Sequence, residues 1–132
     1  MSCSENYEQS FKNFTEYNQA NLRQKGWFPD IISADCYDMK EIHNLDNNNC
    51  YGKFSYHQDS IEMKVLGTKK FTKSTFDRYT HFVAKLSYPE KPSWFLTNIN
   101  SNNMDVYESK NIFIVNNREI KTVYFTYSTE FQ

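Results

Sequence analysis

The sequence predicts a mainly β protein, in which an antiparallel meander closes into a barrel or a strongly curved sheet after one N-terminal α-helix. From about residue 50 onward, short segments rich in β-branched and aromatic residues follow one another. Within several of them apolar and polar side chains alternate, which is the period of a half-buried strand. Asparagine-rich segments such as Asn47–Asn49 separate them, because asparagine tolerates the positive φ of tight turns.

The composition favours one packed domain over residues 1–132. Hydrophobic residues make up 39% of the chain and aromatic residues 17%, which argues against intrinsic disorder. The formal net charge of −1 gives no strong field for nucleic acid, so we expect no nucleic-acid partner. We also expect no membrane span, since no apolar run approaches the roughly 20 residues that cross a bilayer.

The N-terminal residues and the cysteines bear on the compartment. The segment MSCSENYEQSF lacks the apolar stretch of a signal peptide, so we expect a cytoplasmic protein or the mature form of a secreted one. The three cysteines, Cys3, Cys36 and Cys50, fit reduced thiols. Their odd number also permits a Cys36–Cys50 bridge with Cys3 left over, and the sequence leaves both alternatives open.

The first element is predicted to be a helix over about residues 4–24. Tyr7, Phe11 and Phe14 recur at helical spacing and would form one aromatic face. Gly26 is the expected C-cap. We expect this helix to lie against the sheet or to cover one end of a barrel.

The β-meander is predicted over about residues 34–131, after a loop or edge strand that lays Trp27 over the core. Polar turns, including one from His43 to Asn49 and one at Pro89–Pro92, separate its strands. The predicted strands are Ala34–Ile42, Tyr51–Tyr56, Ser60–Leu66, Tyr79–Tyr88, Trp94–Ile99, Met104–Ser109, Ile112–Val115 and Glu119–Thr129.

No catalytic motif stands out in the sequence. His43, His57 and His81 have no metal-binding spacing, and no cysteine pair has CxxC spacing. There is no GxSxG segment and no glycine-rich phosphate loop. We therefore expect no metal and no cofactor, and the sequence favours a binding protein over an enzyme.

The aromatic residues of the predicted strands are then the main functional feature. Their rings either fill the core or line a cavity, and the sequence leaves both alternatives open. In a cavity the rings would supply apolar contact, while tyrosine hydroxyls would orient a ligand. The predicted ligand-binding residues are Tyr56, Phe82, Tyr88, Trp94, Tyr107 and Tyr124.

Four segments over roughly residues 79–129 resemble the lipocalins, a calycin family, and in particular the bilin- or amine-binding lipocalins of insects and other arthropods. The chain departs from that family where adjacent Gly26-Trp27 stand in place of Gly-x-Trp. The resemblance implies a barrel that binds a small apolar or amphipathic ligand, and it transfers no individual ligand residue. The segments are HFVAKLSY from His81, PSWFLTNIN from Pro92, MDVYES from Met104 and KTVYFTYS from Lys121.

Three function classes follow, in order of preference. The first is non-catalytic binding of a small apolar or amphipathic ligand in an aromatic-lined cavity. The second is a protein-interaction module, such as a pathogen or host-interface factor, that offers a sheet edge or the N-terminal helix to a partner or a second copy. The third is a small isomerase- or cyclase-like enzyme of a cone-shaped α+β fold, with Asp35, Asp38, His81 and tyrosine residues in its pocket. A buried carboxylate paired with a histidine would favour this third class.

Overall fold

A computed structural model describes residues 6–58, 70–86, 89–96 and 102–128 of the chain. Its dominant element is one antiparallel sheet of seven strands, which confirms the predicted mainly β class. None of the helices in these ranges has the length and hydropathy that crossing a bilayer requires. In chain order the elements are β1 (Asn6–Asn13), α1 (Phe14–Gln19), α2 (Leu22–Lys25), β2 (Cys36–Asn44), β3 (Cys50–Tyr56), β4 (Thr72–Lys73), α3 (Phe76–Ala84), β5 (Met104–Ser109), β6 (Ile112–Asn117) and β7 (Thr122–Tyr127).

The strands lie in the order β1-β2-β3-β7-β6-β5-β4. Two meanders therefore form the sheet, β1–β2–β3 and β4–β5–β6–β7, and they join where β3 pairs with β7. β1 and β4 lie at the two edges of the described sheet, so it is open. Of the two predicted forms, the open curved sheet fits this order and the closed barrel does not.

The predicted helix over residues 4–24 is wrong for residues 6–13, which form the edge strand β1. Tyr7 and Phe11 are four residues apart, and this spacing fits one face of a strand as well as one face of a helix. Pairing decides between the two, since Tyr7 lies opposite His43 and Phe11 opposite Met39 on β2. The backbone hydrogen bonds of β2 thus override the local pattern.

Helical structure remains after β1 as the two short helices α1 and α2. Asn13 ends the strand and begins α1, because its side chain accepts the backbone N–H of Glu16 at 3.0 Å. Asn21 and Gln24 form a capping box at the start of α2. Gly26 is the C-cap of α2, as predicted, although its φ of −62° lies in the right-handed region.

A second correction concerns the predicted strand Tyr79–Tyr88, whose described part lies largely in the helix α3. Thr75 begins this helix by accepting the backbone N–H of Arg78 at 3.2 Å. Tyr79, Phe82 and Val83 all pack against the sheet, because positions three and four apart share one helix face. Phe82, Ala84 and Leu86 are also two residues apart, which is the spacing that suggested a strand.

The remaining predicted strands agree with the structure to different degrees. Met104–Ser109 has the predicted bounds, while four other predicted strands shift by a few residues at one or both ends. Trp94–Leu96 is a turn and bend instead of a strand, since Phe95 donates its N–H to the carbonyl of Pro92 at 3.0 Å. The predicted strand Ser60–Leu66 and the positions 87–88 and 97–99 lie outside the described residues.

Both faces of the sheet carry a hydrophobic cluster. On the α1–α2 face, Phe28 and Ile31 from the segment after α2 pack on Phe54 of β3. On the α3 face, Tyr79 and the 93–96 turn pack on Tyr51. Because side chains alternate across a strand, β3 supplies Phe54 to one cluster and Tyr51 to the other. The covered sheet therefore has two thin cores, with aromatic rings in both.

The cysteines Cys36 and Cys50 are both buried thiols, and they are not joined in a disulfide. On the β2–β3 ladder Cys36 lies opposite Tyr56, whereas Cys50 lies opposite His43. Cys50 and Tyr56 are six positions apart on β3. About 20 Å of strand therefore lies between Cys50 and the position opposite Cys36. A disulfide requires Cα atoms within about 7 Å, so the fold excludes the Cys36–Cys50 bridge.

Candidate functional site

Two of the predicted ligand-binding residues are core residues of the α1–α2 face. Tyr56 is buried, and its hydroxyl donates to the side-chain oxygen of Asn116 at 2.7 Å. Tyr107 is fully buried in the same cluster. Both rings fill the interior, so neither lines a described groove.

Three others lie on the opposite, α3 face. The ring of Phe82 packs 5.0 Å from that of Phe113, and Tyr124 packs 5.5 Å from Phe95. Trp94 is half-buried, with the ammonium of Lys40 6.0 Å from its ring. The structure thus splits the predicted set between two faces, and Tyr88 lies outside the described residues.

The acid–base residues of the enzyme hypothesis do not converge. Asp35 accepts the backbone N–H groups of His57 and Gln58 at 3.0 and 2.9 Å, which ties down the chain after β3. Asp38 is exposed at the irregular step of β2, with a φ of 50°. His81 is exposed on α3, on the other face of the sheet.

The structure instead places a groove of about 810 Å³ at the β1–β2 edge of the α1–α2 face. We call it the edge groove. It is open to solvent, and strand and helix residues that are distant in sequence meet there. Its aromatic and aliphatic lining is formed by Tyr7, Leu22, Trp27, His43, Leu45 and Tyr127.

Exposed apolar side chains concentrate at the edge groove. Tyr7 is 50% exposed, Leu22 85% and Leu45 39%. They are three of the four large hydrophobic side chains that are exposed in the described residues, the fourth being Ile120 in the turn before β7. Clustered exposed apolar surface is typical of binding sites, whereas scattered single residues are not.

The indole of Trp27 is the centre of a set of nearly parallel rings. It stacks on the imidazole of His43 with 3.7 Å between centroids and 9° between planes. The ring of Tyr127 is parallel to it within 7° at 6.2 Å. The Tyr127 hydroxyl also donates to the carbonyl of Trp27 at 3.0 Å, which fixes the loop that carries the indole.

Behind this stack lies a buried carboxylate. Glu41 is fully buried, and Nδ1 of His43 is 2.8 and 2.9 Å from its two oxygens. The two residues are two positions apart on β2, so their side chains share one face. The thiol of Cys50, on the neighbouring strand, lies 3.5 Å from Oε2 of Glu41.

Burial governs the protonation of the groups around Glu41. It raises the pKa of the Cys50 thiol well above its usual value, and the neighbouring Glu41 carboxylate raises it further. Burial likewise raises the pKa of Tyr127, with Cys50 and Glu41 adding to the effect. Both groups therefore keep their protons near neutral pH and act as hydrogen-bond donors.

The described side chains around Glu41 are not arranged to hold a metal ion. Across residues 6–58, 70–86, 89–96 and 102–128, no group of three His, Cys, Asp or Glu side chains is arranged to hold a metal ion. Both oxygens of Glu41 are directed to one nitrogen of His43. Cys50 remains a thiol, and a thiolate is the form that binds metals or acts as a nucleophile.

Sequence reasoning missed Glu41 and His43 as a pair. It ended the strand at Ile42 and assigned His43 to a turn, whereas β2 continues to Asn44. The available signal was the spacing of Met39, Glu41 and His43, which are two residues apart and therefore share a strand face. The burial of that face depends on Trp27, and it is not visible in the β2 sequence.

A protein-family model described as the YbbD head domain matches residues 5–55, which is less than half of the chain. The matched segment runs from β1 to near the end of β3. It contains Glu41 and every aromatic or aliphatic residue of the edge groove except Tyr127. No curated protein and no solved structure matches the chain.

Proposed function

We propose that this protein is a non-catalytic binding module that holds a small amphipathic ligand in the edge groove. The volume of about 810 Å³ suits a small molecule, since ligand sites commonly measure about 300–1,000 Å³. The lining combines aromatic rings with aliphatic side chains and one histidine. The lipocalin resemblance implies the same class of ligand and stays a prediction.

The observation that carries this proposal is the gathering of Tyr7, Leu22 and Leu45 around one groove. Each side chain would lose water-exposed apolar area when a ligand covers it, and this area drives binding. Tyr7 comes from β1, Leu22 from α2 and Leu45 from the turn after β2. Three separate elements thus contribute apolar surface to the same place.

The Glu41–His43 pair meets the condition that would favour an enzyme, and we assign it to binding for two reasons. The Trp27 indole covers one face of the imidazole at 3.7 Å and restricts its movement. The nearest nucleophile, the Cys50 thiol, keeps its proton because burial raises its pKa. A histidine held in this way suits the orientation of a ligand.

The groove is tested with 8-anilinonaphthalene-1-sulfonate, an amphipathic dye, by isothermal titration calorimetry. We expect one saturable site, which Leu22→Asp weakens about tenfold or more because the lost apolar burial is about 1.5 kcal/mol or larger. Ile120→Asp is the matched control, since Ile120 is similarly exposed but lies away from the groove. It should bind the dye like the wild type.

Several outcomes would contradict the proposal. Absence of saturable binding, or equal weakening by Leu22→Asp and Ile120→Asp, would show that the edge groove is not the site. Mass spectrometry of the dye after prolonged incubation with the protein tests the claim that the module is non-catalytic. Conversion of the dye to a product by the wild type, but not by His43→Gln, would make the protein an enzyme.

A second candidate function is pairing with a second copy through the outer edge of β1 in the described sheet. This strand is exposed along its length apart from Gln9 and Phe11, which are half-buried, and it lies at the end of the sheet. An antiparallel β1–β1 pair centred on Ser10 would place Glu8 opposite Lys12 of the partner subunit, twice in each dimer. The charges of the edge are thus self-complementary in this register.

Charge exchange tests the pairing by analytical ultracentrifugation. We expect a dimer for the wild type and for the double variant Glu8→Lys/Lys12→Glu, and dissociation for each single variant. A monomeric wild type would contradict the pairing, as would single variants that remain dimeric.

A further inference from the structure

We propose that Nε2 of His43 is the polar anchor of the edge groove, and that the ligand presents a carboxylate or another anionic acceptor to it. This inference rests on the proposed function and adds the chemistry of the ligand's polar end. It depends on the position of the imidazole between a buried carboxylate and the groove.

The imidazole is buried on one side and reaches the groove on the other. The His43 side chain is 10% exposed and lines the groove. Its Nδ1 is occupied by the Glu41 carboxylate at 2.8 and 2.9 Å. No hydrogen-bond partner of Nε2 occurs among the described residues. Nε2 is not among the buried polar atoms that lack a partner in the described residues, so it is open to the groove and is the nitrogen that a ligand can reach.

The charge of Glu41 determines whether Nε2 donates a hydrogen bond to a ligand. A fully buried carboxylate is strongly disfavoured unless a positive group compensates it, and in the described part of the chain its ion-pair partner is His43. Cys50 adds only a neutral S–H donor. In the proposed complex His43 is protonated, so its charge balances the carboxylate and both of its nitrogens carry an N–H. Its Nε2–H then donates to an acceptor in the groove, most strongly to an anion.

The rim of the groove does not select a charge by itself. Arg23 contributes one positive side chain and Glu8 one negative side chain to the lining. Their effects on an anionic ligand oppose each other, and both are exposed to water, which weakens them. Selection for an anion therefore depends on the shielded imidazolium of His43, while Tyr7, Leu22 and Leu45 contact the apolar part of the ligand.

A matched pair of probes separates charge from shape: 2-naphthylacetate and 2-(2-naphthyl)ethanol, which share the ring system and differ in the polar end. By titration calorimetry we expect the wild type to bind the carboxylate roughly tenfold more tightly than the alcohol, the usual effect of one charge-assisted hydrogen bond. Glu41→Gln retains an acceptor for Nδ1 and removes the charge, so the two affinities should become similar. His43→Gln should have the same effect.

Two further variants and one spectrum complete the test. Arg118→Gln removes a cation far from the groove and should leave the preference unchanged. A preference that is lost in Arg23→Gln but kept in His43→Gln would assign the anchor to Arg23 and overturn the inference. Because Glu41→Gln alters a buried site, ¹⁵N spectra of the wild-type imidazole provide a check without substitution. The Nε2 resonance should shift with the carboxylate far more than with the alcohol.

The two proposals fail differently. Equal binding of both probes by the wild type overturns the anionic anchor and leaves the edge groove as a binding site. Absence of binding by either probe, together with absence of dye binding, overturns the groove itself. An Nε2 resonance that does not change at saturation with the carboxylate also overturns the anchor.

Discussion

The ring of Phe125 on β7 lies directly over Gly52 on β3. A Cβ added at Gly52 would stand 2.1 Å from Cζ of that ring and 2.4 and 2.7 Å from its two Cε atoms. The two residues are cross-strand partners in the register of β3 and β7. Phe125 is fully buried and also packs on Phe28 and Phe54. Glycine is required here because the ring occupies the space that any other side chain would need.

We therefore expect Gly52→Ala to destabilise the protein by about 1–3 kcal/mol, as overpacking of a filled core does. Guanidinium unfolding followed by circular dichroism measures the change. Gly26→Ala is the matched control, because its Cβ would meet only the carbonyl oxygens of Leu22 at 3.3 Å and Arg23 at 3.6 Å, and its φ suits alanine. Equal stability of Gly52→Ala and the wild type would show that the Phe125 ring moves aside without cost.

The hydrogen bond between Tyr56 and Asn116 leads to a second prediction. Both residues are buried, and the hydroxyl lies 2.7 Å from Oδ1. Tyr56→Phe removes the donor and leaves the amide oxygen in the core, so we expect a loss of about 1–3 kcal/mol of unfolding free energy. The exposed Tyr7→Phe should change stability by less than about 0.5 kcal/mol. Similar effects of both substitutions would mean that the Tyr56–Asn116 bond contributes no net stability.

The buried thiols lead to a third prediction. Cys36 and Cys50 are almost inaccessible in the native fold, and burial raises the pKa of Cys50. Alkylation requires an accessible thiolate, so iodoacetamide should leave both residues unmodified in native protein. Peptide mass spectrometry should find both modified after denaturation in guanidinium. Rapid native labelling of Cys50 would contradict its position behind Trp27.

The fourth prediction concerns alkaline pH. Burial raises the pKa of Tyr51 to about 12, whereas an unfolded tyrosine ionises near pH 10. Because the native pKa is the higher one, the contribution of Tyr51 to stability is complete below about pH 10 and is lost as pH rises towards about 12. We expect unfolding free energy to fall over this range, and to fall less steeply in Tyr51→Phe.

Absorbance at 295 nm, which reports tyrosinate, provides an independent reading of the same titration. The late-ionising phase of the wild type should lose amplitude in Tyr51→Phe, and the amplitude that remains includes Tyr79 and Tyr127, whose pKa values burial also raises. Tyr7→Phe, which removes a half-exposed ring, is the control for the loss of one tyrosine. If Tyr51→Phe removed only early amplitude, the proposed burial of its hydroxyl would be wrong.

Local sequence patterns predicted those strands in which the residue types and the tertiary pairing favour the same conformation. The strand Met104–Ser109 and the first four residues of β6 were predicted because β-branched and aromatic residues are concentrated between polar turns. The same reasoning failed for Tyr7 and Phe11, and again for Phe82, since their spacing fits a strand face and a helix face alike. In each case a distant partner, β2 or the α3 face of the sheet, selects the conformation.

The candidate site was less predictable than the fold. Aromatic content indicated rings around a cavity, but the predicted Tyr56 and Tyr107 are core residues. The edge groove depends on Leu22 and Leu45, which are single apolar residues in polar segments. Leu22 and Leu45 matter because the fold brings them to the same groove, and proximity between distant residues is not visible in a local sequence pattern.

By itself, the sequence determined that this chain alternates strands with asparagine-rich turns, because side-chain period and turn chemistry are properties of neighbouring residues. Only the tertiary structure decided which strands pair, which rings fill a core and which line a groove. Trp27 and Tyr127 are one hundred residues apart, and their contact is what encloses His43 and Glu41. Burial and pairing arise between distant segments, so the charge and partners of a buried group are fixed only when the chain folds.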